Sequence, residues 1–282
     1  MTGVQTCALP ISNAKINIGL NVVEKRSDGY HNIETIFYPI GLKDELYVAK
    51  SETVYSRKID YNLEVFGTEV TDDPEKNLII KALRLIQKDF DIEPVDIQLR
   101  KNIPFGAGLG GGSSDAAFML KALNELFNLH LSDGELEKYA VKLGADCPVF
   151  VRNRPIFASG IGDVFSPVDI SLAGYHFVLV KPDVHVSTPE AYAAVTPRYP
   201  ETKILEIITE PVSEWKKYLK NDFETAVFNK YPVIKNIKDT LYNMGAVYAS
   251  MSGSGSSVYG LFEDIPDGLK TFDKYFTFVD SF

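Results

Sequence analysis

From residue 14 to residue 22 the chain reads AKINIGLNV. Ile16, Ile18, Leu20 and Val22 fall on one side of a strict alternation, and Lys15, Asn17, Gly19 and Asn21 on the other. A period of two is that of a β-strand. The turn-forming run RSDG follows at 26–29, and residues 33–40 are predicted to form a second strand with Tyr30 and His31 at its mouth. Further short strands are predicted at 46–49 and 59–66. Between 77 and 90 the spacing changes, and Leu78, Ile79, Ala82, Leu83 and Ile86 line one side of a helix. Alternation returns at 95–99 and leads through Lys101, Ile103 and Pro104 into the run GAGLGGGSS at 106–114. Ser113 or Ser114 is expected to cap a helix carrying Ala116, Ala117, Leu120, Leu123, Leu126 and Phe127. Ser132 with Glu135 has the spacing of a capping box and opens a helix that closes near Gly144. Beyond it the pattern predicts strands at 155–157, 164–165 and 177–181, several helices between 188 and 244, and a strand, loop and strand across 249–262. Strands and helices are mixed rather than regularly alternating, which points to an α+β protein. The run NRP at 153–155 interrupts the pattern and places a boundary between two domains, 1–154 and 155–282.

Composition narrows the function classes. The 282 residues exceed the size at which a single core stops growing, so two domains are expected. With 45% hydrophobic and 24% charged residues the chain is an ordinary globular one, and no apolar run approaches the ~20 residues that span a bilayer. A net charge of -9 argues against a nucleic-acid partner gripped by bulk electrostatics, so any anionic ligand must be held locally. Cys7 and Cys147 lie far apart in sequence and support neither a disulfide framework nor a zinc site, which fits a reducing, cytoplasmic setting. The opening MTGVQTCALPIS has no signal-peptide pattern. TGVQTCALPI is what a common sequencing-adapter stretch gives when translated in frame, so residues 1–12 are expected to stand in place of a native start, and Cys7 carries no weight.

The glycine run carries the chemistry. Glycines let main-chain N–H groups approach an anion with no Cβ in the way, and a following helix adds its unpaired N–H groups and positive end. Strand, glycines, serines and helix together read as a phosphate cradle. Gly106, Gly108 and Gly111 satisfy the dinucleotide spacing GxGxxG, but that reading needs an acidic residue at a strand end about 20 residues on, and Asp133 and Glu135 sit at a helix start instead. The GKS or GKT of a Walker A loop and the companion motifs of protein kinases are absent. A second run, SMSGSGSS at 250–257, reads either as another anion-facing turn or as a plain β-turn.

Pro104 followed by GLGGGSS at 108–114 resembles the second motif of the GHMP small-molecule kinases, which include galactokinase, homoserine kinase and mevalonate kinase. NAKINIGLNVVEKRSDGYHNIETIF at 13–37, KNLIIKALRLI at 76–86, LGADCPVFV at 143–151 and SGSGSSVYGLF at 252–262 are similar to the branch that acts on 4-diphosphocytidyl-2-C-methyl-D-erythritol. The resemblance runs from about residue 13 to the end. It implies an N-terminal ATP-binding domain with a left-handed βαβ crossover, a ferredoxin-like C-terminal domain, and an active site between them. The implied reaction sends the γ-phosphoryl group of ATP, accompanied by Mg2+, to a tertiary 2-hydroxyl. Another GHMP kinase, or a catalytically inactive nucleotide-binding protein, is the alternative, and the implied protein is a monomer or homodimer.

The same resemblance assigns Lys15 and Asp146 as the catalytic pair. Asn77, Lys101, Pro104, Gly106, Ala107, Gly108, Leu109, Gly110, Gly111, Gly112, Ser113 and Ser114 are assigned to ATP. Asn17, Tyr30, His31, Phe37, Asp146, Thr188, Tyr192, Gly253, Ser254 and Gly255 are assigned to the acceptor, with Tyr30 and Tyr192 stacking on cytosine and His31 at its edge. A carboxylate beside an ammonium suits the chemistry, the first taking a hydroxyl proton and the second holding the hydroxyl in place. On the residues alone, plainer readings stay open. Lys15 reads as the solvated side of a strand, Asp146 either as a functional residue or as the N-cap of a short helix with Pro148 in its first turn, Tyr30 as a turn residue and Tyr192 as a core-packed helix residue.

Overall fold

The computed structural model describes residues 7–8, 11–51, 60–67 and 73–282. The chain divides into two compact units. The first comprises Met1–Ala14, Ile40–Phe105 and Gly110–Arg154, and the second Lys15–Pro39, Gly106–Leu109 and Pro155–Phe282.

In the first unit, β1 (Cys7–Ala8) pairs with the end of β3 (His31–Lys50), and β5 (Val95–Lys101) runs antiparallel to the same stretch, with Leu46 opposite Leu99 and Val48 opposite Ile97. β4 (Tyr61–Gly67) lies parallel to β5, and α1 (Leu78–Asp89) connects the two, because parallel neighbours need a crossover. Residue 59, the start of a predicted strand, lies outside the described residues. The strand predicted at 46–49 is not separate: it is the far end of the 20-residue β3. Leu42, Asp44, Leu46 and Val48 are buried while Lys43 and Glu45 are exposed, so the alternation continues through GLKDE and a buried carboxylate disguises it as a turn. α1 buries Ile79, Ile80, Ala82, Leu83 and Ile86, and the Asn77 side chain caps it by accepting from the Ile79 N–H at 3.1 Å. α2 (Gly111–Leu126) packs against α1, α3 (Asp133–Val141) and α4 (Val149–Arg152). The capping box of Ser132 and Glu135 is present, but α3 ends at Val141 and a turn carries the chain to Gly144.

In the second unit, β2 (Ile11–Lys25) from Lys15 onward turns at 26–30, where the Arg26 N–H bonds the Tyr30 carbonyl at 2.8 Å, and enters β3. β6 (Ile156–Ser159) runs antiparallel to β3, with Phe157 opposite Ile36, and β7 (Val164–Pro167) antiparallel to β6. The remainder forms a four-stranded antiparallel sheet from β8 (His176–Lys181), β9 (Tyr248–Met251), β10 (Val258–Phe262) and β11 (Phe276–Ser281), in the order β11-β8-β10-β9. Between β8 and β9 come α5 (Thr188–Ala193), α6 (Ile204–Ile207), α7 (Val212–Tyr218), α8 (Glu224–Lys230) and α9 (Pro232–Asn243). This is the ferredoxin-like strand order, with the helix before the last strand reduced to a 3-10 turn at Leu269–Phe272. β11 has no counterpart in the sequence pattern, because an edge strand with Phe276 and Val279 partly exposed does not alternate cleanly. Val178, Val180, Phe223, Ile234, Ile237, Leu241 and Met251 build the core, joined by Leu20 and Val22 of β2. Among the described residues no helix is long and apolar enough to cross a membrane.

Candidate active site

The mouth of α2 is formed by main chain. Its N-cap is Gly110 in the left-handed region at φ 71°, and no side chain caps it. Ser113 and Ser114, expected as caps, instead lie within the first turn. The Ser114 N–H makes the first helical bond to the Gly110 carbonyl at 2.8 Å, and its hydroxyl donates to the Asn13 carbonyl at 2.7 Å. A serine cap would have occupied the donors that an anion needs. With glycine in that place, the N–H groups of Gly111, Gly112 and Ser113 have no intrahelical acceptor and point out of the positive end of a 16-residue helix. Gly111 cannot carry a Cβ there, since it would lie 2.9 Å from Ile103 Cγ2.

Close under the same mouth lies a buried ionic triad. Lys101 Nζ bonds the carboxylate of Asp44 and, at 2.7 Å, that of Asp115. Asp44 also accepts from the N–H groups of Asn102 at 2.6 Å and Ile103 at 2.8 Å, and Asp115 accepts from the Ser12 hydroxyl at 2.6 Å. Burial opposes the charge on Lys101, but the two carboxylates outweigh it and raise its pKa. Burial pushes Asp115 up to about 6, with Lys101 opposing and Asp44 adding to the shift. Lys101, assigned to ATP from the sequence, is thus engaged on both sides by carboxylates, and Asn77 serves as the α1 cap. Pro104 is half-buried and ends the approach to the loop. Asp146 also belongs to the first unit, half-buried in the turn before α4. The N-cap position of α4 is Pro148.

The second unit places Lys15 in contact with the glycine loop. Its side chain is 3% exposed, which overturns the reading of a solvated strand face. Nζ donates to Asn17 Oδ1 at 2.7 Å and to the Gly108 carbonyl at 3.4 Å, and lies 4.8 Å above the Phe37 ring. A buried ammonium needs such partners, because burying an unpaired ion costs several kcal/mol. The Lys15 N–H also bonds the Leu109 carbonyl at 3.0 Å. The late serine-glycine run is a second wall: Ser252 Oγ donates to the Gly108 carbonyl at 2.8 Å and the Ser257 N–H to the Ala107 carbonyl at 3.2 Å. Contact is close enough that a Cβ on Gly108 would stand 2.1 Å from the Ser252 carbonyl oxygen, and one on Gly106 would stand 2.5 Å from His185 Nδ1. Gly253 and Gly255 both take positive φ in this turn, and Ser254 Oγ lies 3.0 Å from the Thr188 hydroxyl. The structure therefore joins Lys15, Asn17, Phe37, Gly106, Ala107, Gly108, Leu109, Gly253, Ser254, Gly255 and Thr188 in one unit.

The aromatic residues assigned to cytosine, Tyr30, His31 and Tyr192, all belong to the second unit. Tyr30 is 61% exposed on the turn that Asp28 organises by accepting its N–H at 3.1 Å. The His31 ring stacks on Tyr192, with centroids 5.0 Å apart and planes 22° from parallel, and Tyr192 in turn meets the edge of Phe223 at 4.8 Å. At that spacing no third ring fits between His31 and Tyr192. Sequence reasoning missed Thr35, Ser252 and His185. Thr35 and Ser252 are fully buried hydroxyls, and a serine or threonine in a strand or turn gives no sequence sign of its hydrogen-bond partner.

Among the described residues there is no group of three or more His, Cys, Asp or Glu side chains able to hold a metal ion. A cation held largely by phosphate oxygens and water fits that donor set, and magnesium commonly binds in this way.

Two family models match parts of the chain. Residues 77–154 match the family model described as GHMP kinases N terminal domain, and residues 206–271 match GHMP kinases C terminal. A 4-diphosphocytidyl-2-C-methyl-D-erythritol kinase of Bacteroides fragilis is 59% identical over 250 residues, 89% of this chain and 90% of the relative. A crystal structure of 4-(cytidine 5'-diphospho)-2C-methyl-D-erythritol kinase superposes with a TM-score of 0.77 at 32% identity, covering 96% of this chain and 98% of the other. The mevalonate kinase of Methanococcus jannaschii, at 16% identity and a TM-score of 0.70 over 99% and 98% of the two chains, shares the fold.

Proposed function

Because the chain belongs to the GHMP kinase family, we propose that it transfers the γ-phosphoryl group of ATP to the 2-hydroxyl of 4-diphosphocytidyl-2-C-methyl-D-erythritol. The products are ADP and the 2-phosphate, in the cytoplasm, within the methylerythritol phosphate route to isoprenoids. The observation that carries the reading is Lys15: an ammonium buried at 3% exposure against a glycine-loop carbonyl has no use on a solvated strand.

The uncapped N–H groups of Gly111, Gly112 and Ser113 hold terminal phosphates, helped by the positive end of α2. Asn77 and Lys101 lie toward the nucleoside. Magnesium, when bound with the nucleotide, neutralises charge on the phosphate oxygens. Lys15 orients the acceptor hydroxyl, while Asp146 takes the hydroxyl proton as the new P–O bond forms and the bond to ADP breaks. The phosphoryl transition state is loose, so positioning by Lys15 and the loop matters as much as base strength. Tyr30, His31 and Tyr192 supply ring faces and hydrogen-bonding groups for the cytosine. Asn17, Phe37, Thr188, Gly253, Ser254 and Gly255 line the remainder of the acceptor.

The test gives the purified protein ATP, magnesium and, in separate reactions, the cytidyl acceptor, mevalonate or homoserine, and follows ADP. Release with the cytidyl acceptor alone is expected. Release with mevalonate or homoserine instead would move the chain elsewhere in the superfamily, and nucleotide binding with no release would make it an inactive binder.

A further inference from the structure

We propose that Thr35 is a positioning residue that fixes the direction of a hydrogen-bond relay ending on the Lys15 ammonium. The proposal rests on the kinase reading above. Thr35 is fully buried in β3, opposite Ala158 of β6. Its Oγ1 lies 2.5 Å from the Gly19 carbonyl oxygen and 3.0 Å from Asn17 Nδ2, and Asn17 Oδ1 lies 2.7 Å from Lys15 Nζ.

The direction follows from what each group can do. A carbonyl only accepts, so the single proton of the Thr35 hydroxyl is committed to Gly19. The hydroxyl then has only lone pairs left to offer, and the amide end facing it must be the NH2 of Asn17. That choice turns the Asn17 carbonyl toward Lys15, whose ammonium only donates. Reversing the amide would set its NH2 against the ammonium and its oxygen against the hydroxyl lone pairs, losing two bonds at once in a buried site. Gly19 starts the chain from a fixed point, because its φ of +65° and the Leu219 Cδ1 atom 2.6 Å from any Cβ there favour glycine. The Asn17 backbone is held independently, its N–H on Ser252 Oγ at 3.3 Å and its carbonyl on the Tyr259 hydroxyl at 2.9 Å. The side-chain amide is then set from both ends, by the Lys15 ammonium on its oxygen and by Thr35 on its NH2.

Three kinetic readouts and one in the wild type test this. Thr35→Val keeps the shape and removes the hydroxyl, and kcat is expected to fall about tenfold, the cost of loosening one hydrogen bond to a charged group, with KM for ATP and acceptor within about twofold. Thr35→Ser is expected to restore kcat. In a double-mutant cycle, Asn17→Ala with Thr35→Val should be no slower than Asn17→Ala alone, since the relay is already broken. Unchanged kcat in Thr35→Val, failure of serine to restore it, or additive losses would overturn the proposal. Should Thr35→Val not fold, NMR of the wild type decides: the Asn17 side-chain NH2 should be protected from exchange, and exchange at the rate of an exposed amide would sink the relay. A chain inactive on every acceptor would defeat the kinase reading while leaving this NMR result to judge the relay.

Discussion

Gly108→Ala makes the packing of the glycine loop measurable. Gly108 has φ +74°, where an L-residue costs ~1–2 kcal/mol. The new Cβ would stand 2.1 Å from the Ser252 carbonyl oxygen, against a floor of 3.0 Å for real Cβ contacts, so the loop and the serine-glycine turn must part by about 0.9 Å. That shift stretches the 2.8 Å bond from Ser252 Oγ to the Gly108 carbonyl beyond hydrogen-bond range, a further ~0.5–1.5 kcal/mol. The total is roughly 1.5–3.5 kcal/mol, and at ~2–4 °C per kcal/mol for a chain of this size the melting temperature should fall by about 3–14 °C. Circular dichroism melts measure this directly. A displacement near 1 Å beside the reacting groups should also cost on the order of 10²-fold in kcat. Gly134→Ala is the control, because no atom lies within 4 Å of its Cβ and it sits in the first turn of α3; it should raise stability by up to ~1 kcal/mol. A Gly108→Ala protein that melts and turns over like the wild type would show that the loop does not lie against Ser252.

Three other outcomes follow from the same geometry. Asp146→Asn should lower kcat by ~10²-fold or more with the protein still folded, as a lost general base does, and near-normal turnover would remove Asp146 from that role. Tyr192→Ala takes away the ring under His31 and should raise KM for the cytidyl acceptor while leaving KM for ATP unchanged; equal changes in both would place Tyr192 outside the acceptor site. Asp115 has its folded pKa raised from 3.8 to about 6, so its stabilising contribution is complete below about 3.8 and is lost as pH rises through about 6. Chemical denaturation of wild type and Asp115→Asn should therefore show the wild type gaining on the variant, by on the order of 2–3 kcal/mol, between pH 7 and pH 4; a constant difference would mean that Asp115 does not titrate there.

The legible parts of the sequence were those whose signal is local. The alternation at Ile16, Ile18, Leu20 and Val22 marks β2, the stripe of Ile79, Leu83 and Ile86 marks α1, and the glycines ahead of Ala116 mark the helix mouth. What stayed hidden depends on partners distant in sequence. Asp44 breaks the apolar alternation ahead of Leu46 until Lys101, 57 positions on, is seen to neutralise it inside β3. Lys15 reads as solvated until Asn17, Phe37 and Gly108 are found around it. Ser113 and Ser114 have the chemistry of caps, but the left-handed Gly110 starts the helix earlier, a choice of backbone conformation that side-chain type does not announce. Thr35 carries no pattern at all, since its importance lies in where its one proton goes.

The claim on which the rest depends is phosphoryl transfer to a tertiary alcohol, and proton-coupled 31P NMR of the reaction with the cytidyl acceptor reads it directly. Carbon 2 of the acceptor bears no hydrogen, so the product phosphate should appear as a sharp singlet growing one-for-one with ADP. A doublet or triplet would put the phosphate on a secondary or primary hydroxyl, and ADP without any new phosphomonoester would mean hydrolysis rather than transfer.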